Sequence, residues 1–305
     1  MSWHDDRIVI TVVFALVPGV HLLDFAGPAQ VFGSGGYDLR YVAETPVVAT
    51  AQRLPVQTDT TMPALELDDL VLVPGWRGDR LADSVPIPEF VLSTLVEHHA
   101  RGGTVASVCA GAEALGRAGL LDGRRCTTHH EHQDELAARY PRAHVVRDVL
   151  FTEDDRVVTS AGIASGIDLA LHLVAQRHGP ALAARIAREM VIYTRRNGED
   201  AQESAMLRHR VHLSDQVHRA QALIDARFAS PLRLAELAAA VGVSERTLTR
   251  RFTRTIGLTP LRYQQTLRVE HAETLIAQGS TVESAARSVG FDDARMLRRL
   301  RAASR

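Results

Sequence analysis

Apolar and polar positions in the first two-thirds of the chain follow two alternating periods. Residues 8–17 are almost all apolar or β-branched, the pattern of a strand covered on both faces of a parallel sheet. Residues 70–73 and 104–108 repeat it, each followed by Gly or small residues, and residues 157–160 form a shorter candidate. Between them, apolar positions recur at helical spacing in residues 88–100, 110–119, 131–140 and 168–177. Strand, short loop and helix in repetition predict an α/β domain, a mostly parallel sheet with helices on both faces as in a flavodoxin-like sandwich. Such sheets bind ligands outside the carboxyl ends of their strands.

From about residue 213 the pattern is helical only. The polar stretch 195–212, with Arg195-Arg196-Asn197-Gly198-Glu199-Asp200 at its start, is the expected linker between domains at 1–194 and 213–305. Leu234, Leu237, Ala238 and Val241 stand at i, i+3, i+4 and i+7, one face of a helix. Gly242 stops that helix, Ser244 is placed to cap the next, and Leu248 and Phe252 give the next its inward stripe. Helix, Gly-containing turn and second short helix predict a helix-turn-helix unit. The arrangement recurs about 48 residues later, where Val289-Gly290-Phe291 matches Val241-Gly242-Val243, and Arg295, Leu297 and Arg299 match Arg246, Leu248 and Arg250. Residues 260–278 read as one connecting helix. Two such units on a rigid connector suit successive major-groove segments, about 34 Å apart on one face of DNA.

Charge sharpens this division. The net charge of −1 combines −7 over residues 1–213, with 20 Arg against 27 acids, and +6 over residues 214–305, with 15 Arg against 9. A basic module on an acidic body points to a polyanionic partner for the tail alone. All basic residues are arginine, which we ascribe to the codon bias of a GC-rich genome. The two cysteines, Cys109 and Cys126, are too few for a disulfide framework and fit a reducing compartment. The mostly apolar stretch 8–20 contains Pro18 and Gly19 and is too short to span a membrane. Acids at Asp5 and Asp6 precede it where a secretory signal needs bases, so a cytoplasmic protein is expected.

The tail resembles the AraC/XylS DNA-binding domain in Ser230-Pro231-Leu232, in Leu234-Ala235-Glu236-Leu237-Ala238 and throughout the segment from Gly242 to Phe252. Gly257-Leu258-Thr259-Pro260, Tyr263, Arg268 and Val289-Gly290-Phe291 continue the match. The resemblance implies that Arg246, Thr249 and Arg250 of the first unit, with Arg295 and Arg299 of the second, reach base edges of double-stranded DNA. Arg is the commonest reader of guanine, which agrees. One departure is Arg301, where the family usually places an aromatic; it predicts a loosely packed second unit.

In the front domain, Thr104-Val105-Ala106-Ser107-Val108 runs into Cys109-Ala110-Gly111-Ala112, a strand-to-helix elbow that would present Cys109 at the top of the sheet. A helix start there would favour the thiolate, which suits a nucleophile, while a buried structural cysteine fits the position equally well. Four blocks resemble the PfpI-type branch of the class I glutamine-amidotransferase-like superfamily: this elbow, the segment from Gly19 to Pro28, Thr127-Thr128-His129-His130, and the segment from Thr159 to Asp168. The resemblance implies an amidotransferase-like fold in which Cys109 is the nucleophile, Asp24 contacts it and His129 assists. A carboxylate beside a thiolate implies a shared proton or a raised acid pKa. His129, Glu131 and His132 are expected to be a solvated loop, so neither a metal nor a cofactor is expected. Asp168 is read as a helix N-cap, Gly27-Pro28 as turn formers and Arg77 as an exposed loop arginine.

A PfpI-like front on an AraC-type tail resembles the GlxA group of transcriptional regulators. The resemblance implies a sequence-specific DNA-binding protein whose front domain senses a small-molecule effector or redox state near Cys109 and forms a homodimer. The alternative is a cysteine-dependent hydratase or glyoxalase-type enzyme using Cys109 and Asp24, although nothing in the sequence requires turnover.

Overall fold

The computed structural model describes residues 10–78, 81, 87–192, 196–202, 204, 209–210 and 212–302. Residues 8 and 9 of the first expected strand, Asp5 and Asp6, and much of the expected linker lie outside the described residues. The chain separates into two compact units, residues 1–202 and 203–305.

The front unit opens with β1 (Thr11–Ala15), α1 (Leu22–Ser34), β2 (Asp38–Val42) and a short antiparallel ribbon of β3 (Val47–Ala49) and β4 (Pro55–Gln57). It continues with β5 (Leu70–Val73), α2 (Glu89–Ala100), β6 (Thr104–Val108), a 3-10 turn at Cys109–Gly111 and α3 (Ala112–Arg117). Next come β7 (Arg125–Cys126), a 3-10 turn at His130–His132, α4 (Gln133–Arg139), β8 (His144–Val145), β9 (Phe151–Asp154) and β10 (Val157–Ser160). Two helices, α5 (Ser165–His178) and α6 (Pro180–Glu189), complete it. The main sheet runs β2-β1-β5-β6-β10-β9, parallel throughout except for the antiparallel edge strand β9. Its central strands are buried on both faces, which is why they read as unbroken apolar runs. Phe14, Leu72, Val108 and Val158 belong to one core beneath α1, α5 and α6; Val71, Val73, Val105 and Val157 belong to the other, with α2 and α3.

Gly27 and Pro28, expected in a turn, lie inside α1. Tertiary packing overrides their local preference: a Cβ on Gly27 would stand 2.9 Å from Ile167 Cγ1 of α5, so its absence lets the two helices close on each other. Asp168 is also not an N-cap. Ala164 holds that position, while Asp168 lies inside α5, buried against the Arg196 guanidinium at 2.6 Å.

The second unit is all helical: α7 (Asp215–Ala226), α8 (Leu234–Ala240), α9 (Glu245–Ile256), α10 (Pro260–Ala277), α11 (Val282–Ser288) and α12 (Ala294–Ala302). Leu237, Ala238, Leu248, Phe252 and Tyr263 form one core with α7. Ala285, Ala286, Val289, Phe291, Leu297 and Leu300 form another against α10. The second helix-turn-helix is therefore packed rather than loose. Arg301 stands at the border of its core and forms a paired contact with Glu273 at 2.6 and 3.1 Å, replacing the expected aromatic by an ion pair.

Candidate functional site

Five loops meet at the carboxyl ends of the front-unit strands. Cys109 follows β6 with φ of 57°, a left-handed backbone that turns the chain from strand to 3-10 turn and leaves the side chain 6 % exposed. Asp24, fully buried in the first turn of α1, approaches from the loop after β1. Gly75, after β5, separates the two so closely that a Cβ there would lie 2.6 Å from Asp24 Oδ2 and 2.7 Å from Cys109 Cβ. Gly162, after β10, has φ of 142°; a Cβ on it would meet Cys109 Sγ at 3.0 Å and His129 Cδ2 at 3.3 Å. His129, in the loop after β7, therefore shares this corner with Cys109. The three residues implied by the resemblance are brought together, and the two glycines that let them approach were not singled out in the sequence.

The Asp24 carboxylate accepts backbone N–H bonds from Gly75 at 3.1 Å and Ile163 at 3.0 Å, and the Cys109 thiol beside it further favours its charged form. Burial outweighs these bonds and pushes its pKa up to about 6. Burial, and next the Asp24 charge, raise the Cys109 thiol well above its ordinary value; the Ala110 N–H opposes them and is outweighed. This corrects the expectation of a thiolate favoured by a helix start. The turn and α3 behind it are too short to supply a strong dipole, while the carboxylate is in direct contact. Above about pH 6 the pair therefore holds one proton, on sulfur, and an electrophile would meet a nucleophile only as that proton leaves.

Burial and the neighbouring His130 push His129 down to about 4, so it stands neutral at physiological pH as a proton acceptor. Its ring lies 4.3 Å from that of His130 and 6.0 Å from that of His132. His21, from the loop after β1, is also lowered, by burial and then by Arg77. Arg77 itself is exposed, as expected, and its N–H bonds to Gly19 O at 2.9 Å. Beneath the site, buried Thr128 donates from Oγ1 to Cys109 O at 2.7 Å. Among the described residues, no three His, Cys, Asp or Glu side chains form a group that could hold a metal ion.

The second unit presents two matched helices. Gly242 (φ 73°) and Gly290 (φ 85°) make the turns, and Ser244 Oγ and Asp293 Oδ1 cap the helices that follow by accepting from Thr247 N and Arg295 N. In α9 the buried Leu248 and Phe252 fix the rotation so that Arg246 and Arg250 are exposed and Thr249 half-buried beside them, one face at i, i+3, i+4. In α12 the buried Leu297 and Leu300 likewise leave Arg295 and Arg299 exposed. Arg268 of α10, missed as a structural residue, spans the two halves, donating to Phe228 O, Ser230 O and Gly290 O at 2.7–2.8 Å. It satisfies turn carbonyls in both and so fixes the spacing of the two units.

The DJ-1/PfpI family model matches residues 10–176, and a helix-turn-helix domain model matches residues 237–303. The chain is 36% identical over 189 residues to the HTH-type transcriptional regulator GbdR of Pseudomonas aeruginosa, covering 61% of this chain and 51% of GbdR; it thus spans about half the length of that relative. It is 32% identical over 177 residues to the isonitrile hydratase of Pseudomonas putida, covering 56% of this chain and 74% of the hydratase. Among solved structures, a THiJ/PfpI family protein from Pseudomonas syringae aligns with a TM-score of 0.56 at 23% identity, covering 76% of this chain and 89% of that one, a likeness of fold. No helix among the described residues is long and apolar enough to cross a membrane.

Proposed function

The chain belongs to the DJ-1/PfpI family, and from that premise we propose that it is a transcriptional regulator in which a DJ-1/PfpI unit controls a C-terminal DNA-binding unit. The observation that carries this reading is the pair of capped, separately cored helix-turn-helix units, each turning arginines outward at the same positions. Arg246, Thr249 and Arg250 read one major-groove segment of double-stranded DNA and Arg295 and Arg299 the next. The front unit forms a homodimer in the cytoplasm and senses a small molecule or oxidant at Cys109. An effector that binds two front-unit states with different affinity shifts the DNA-competent population. Sequencing the DNA retained by the full-length protein at near-physiological salt tests the reading. We expect a motif of two elements about one helical turn apart; retention without sequence enrichment would overturn it.

A second reading has its own support: the adjacency of Cys109 and Asp24 around Gly75 and the isonitrile hydratase relative favour a cysteine-dependent hydratase or glyoxalase-type activity on the same unit. Incubation with an isocyanide and with methylglyoxal separates the two, since turnover lost in Cys109→Ala supports the enzyme and absence of turnover supports the sensor.

A further inference from the structure

Residues 196–202 form a strap along the front unit and end at its boundary with the second. Arg196 is anchored to Asp168. Gly198 O accepts from Leu150 N at 2.8 Å, and Gly198 lies so flush that a Cβ would stand 2.8 Å from Phe151. Gln202 closes the strap: its N–H donates to Asp148 Oδ1 at 3.1 Å, and its side-chain amide donates to Thr128 O at 2.9 Å and Val149 O at 3.0 Å. Thr128 is the residue whose hydroxyl holds the Cys109 carbonyl, and it directly precedes His129. Gln133 braces the same junction, donating to Thr128 O and accepting from Asp148 N. One residue, Thr128, thus links the Cys109 backbone to the last residue of the front unit. Gln202 Oε1 is buried and accepts no hydrogen bond among the described residues, which leaves the junction incompletely satisfied.

We propose that the chain from Cys109 O through Thr128 to Gln202 is the route by which the state of the Cys109 site reaches the segment leading to the DNA-binding unit. The inference rests on the sensing reading above. Gly162 lies so close that a Cβ on it would stand 3.0 Å from Cys109 Sγ, and in this scheme a group added to the sulfur displaces the 109–111 turn. The displacement moves Thr128, and the Gln202 bonds exchange for others, loosening the strap. Gln202 is a positioning residue in this scheme and touches no effector.

Iodoacetamide on the full-length protein serves as the probe. The sulfur forms a bond to the acetamide carbon, iodide leaves and the thiol proton passes to solvent, with modification at Cys109 alone verified by peptide mass spectrometry. In the wild type we expect alkylation to change affinity for the selected DNA by about fivefold or more. We also expect it to speed backbone hydrogen exchange over residues 196–202. In Gln202→Leu, which lacks both amide bonds, we expect the affinity change to shrink below about twofold, beneath the usual range of such couplings, with strap exchange already fast. Glu199→Gln breaks an exposed pair with Arg125 on the same strap but off the route, and should keep the full change. A full affinity change in Gln202→Leu, or its loss in Glu199→Gln, overturns the route. A change in affinity without a change in strap exchange also overturns the route and leaves sensing intact. No affinity change in the fully alkylated wild type overturns both.

Discussion

At the scale of single residues, the chemistry of the front unit turns on how Asp24 and Cys109 share a proton. Because the buried Asp24 carboxyl is raised to about 6, the folded state keeps a proton that the unfolded chain has already released near pH 4. Its contribution to stability is therefore fully present below that pH and lost as pH rises through about 6, on the order of 3 kcal/mol. Denaturant titrations across pH 4–7 should show this fall, and Asp24→Asn should flatten it. The same substitution removes the charge that helps hold the thiol protonated, so iodoacetamide should alkylate Cys109 about tenfold faster at pH 8. A slower reaction would instead identify Asp24 as the base that takes the thiol proton. Space around the pair is equally constrained: Gly75→Ala should cost about 1–3 kcal/mol, read as a lowered Tm, because the new methyl meets Asp24 and Cys109 together. Cys109 was legible from its place at a strand-to-helix elbow, while Asp24 and His129 were reached only through the resemblance. The direction of the thiol shift was not, because burial and a contact from 85 residues away in sequence outweigh the local helix start.

At the scale of elements, periodicity located strands wherever both faces are buried. Residues 70–73, 104–108 and 157–160 coincide with β5, β6 and β10. It missed β2, whose edge position leaves four of its five residues half-buried or exposed, and β9, the antiparallel edge. Edge strands carry a mixed pattern because only one face and one flank are covered. The helix-turn-helix units were legible almost to the residue, since their signals are local: a glycine at positive φ, a capping side chain and an inward pair three or four apart. Those inward residues decide which arginines face out. Leu297→Ala should therefore destabilise the second unit by about 2–5 kcal/mol in thermal melts, and it should erase one half of the selected DNA motif while the other survives. Arg250→Ala leaves the core untouched. It should cost about 1–3 kcal/mol on the preferred DNA and relax specificity at one position; a uniform loss on all sequences would assign it to phosphate.

At the scale of the whole molecule, the sign of charge divides where the structure divides. The excess of acids lies almost wholly in residues 1–202 and the excess of arginines in the unit that presents α9 and α12. On the proposed reading, an acidic front unit would repel DNA, so affinity would reside in the tail, and the front unit would act on binding only by what it does to the tail's position or pairing. Each core is built from residues of its own unit, which predicts that the two separate without unfolding. Residues 1–202 expressed alone should melt cooperatively and show no retention on DNA. Residues 203–305 alone should bind DNA with a logarithmic salt slope of about −0.9 for each phosphate neutralised. The intact chain should share that slope, because the phosphate contacts belong to the tail. Its affinity should differ from the fragment's by the factor that the proposed dimerisation through the front unit adds. If the front unit unfolds on truncation, the two units are not independent; if the fragment and the intact chain differ in slope rather than in affinity, the acidic unit itself lies against the DNA, and control would be electrostatic rather than conformational.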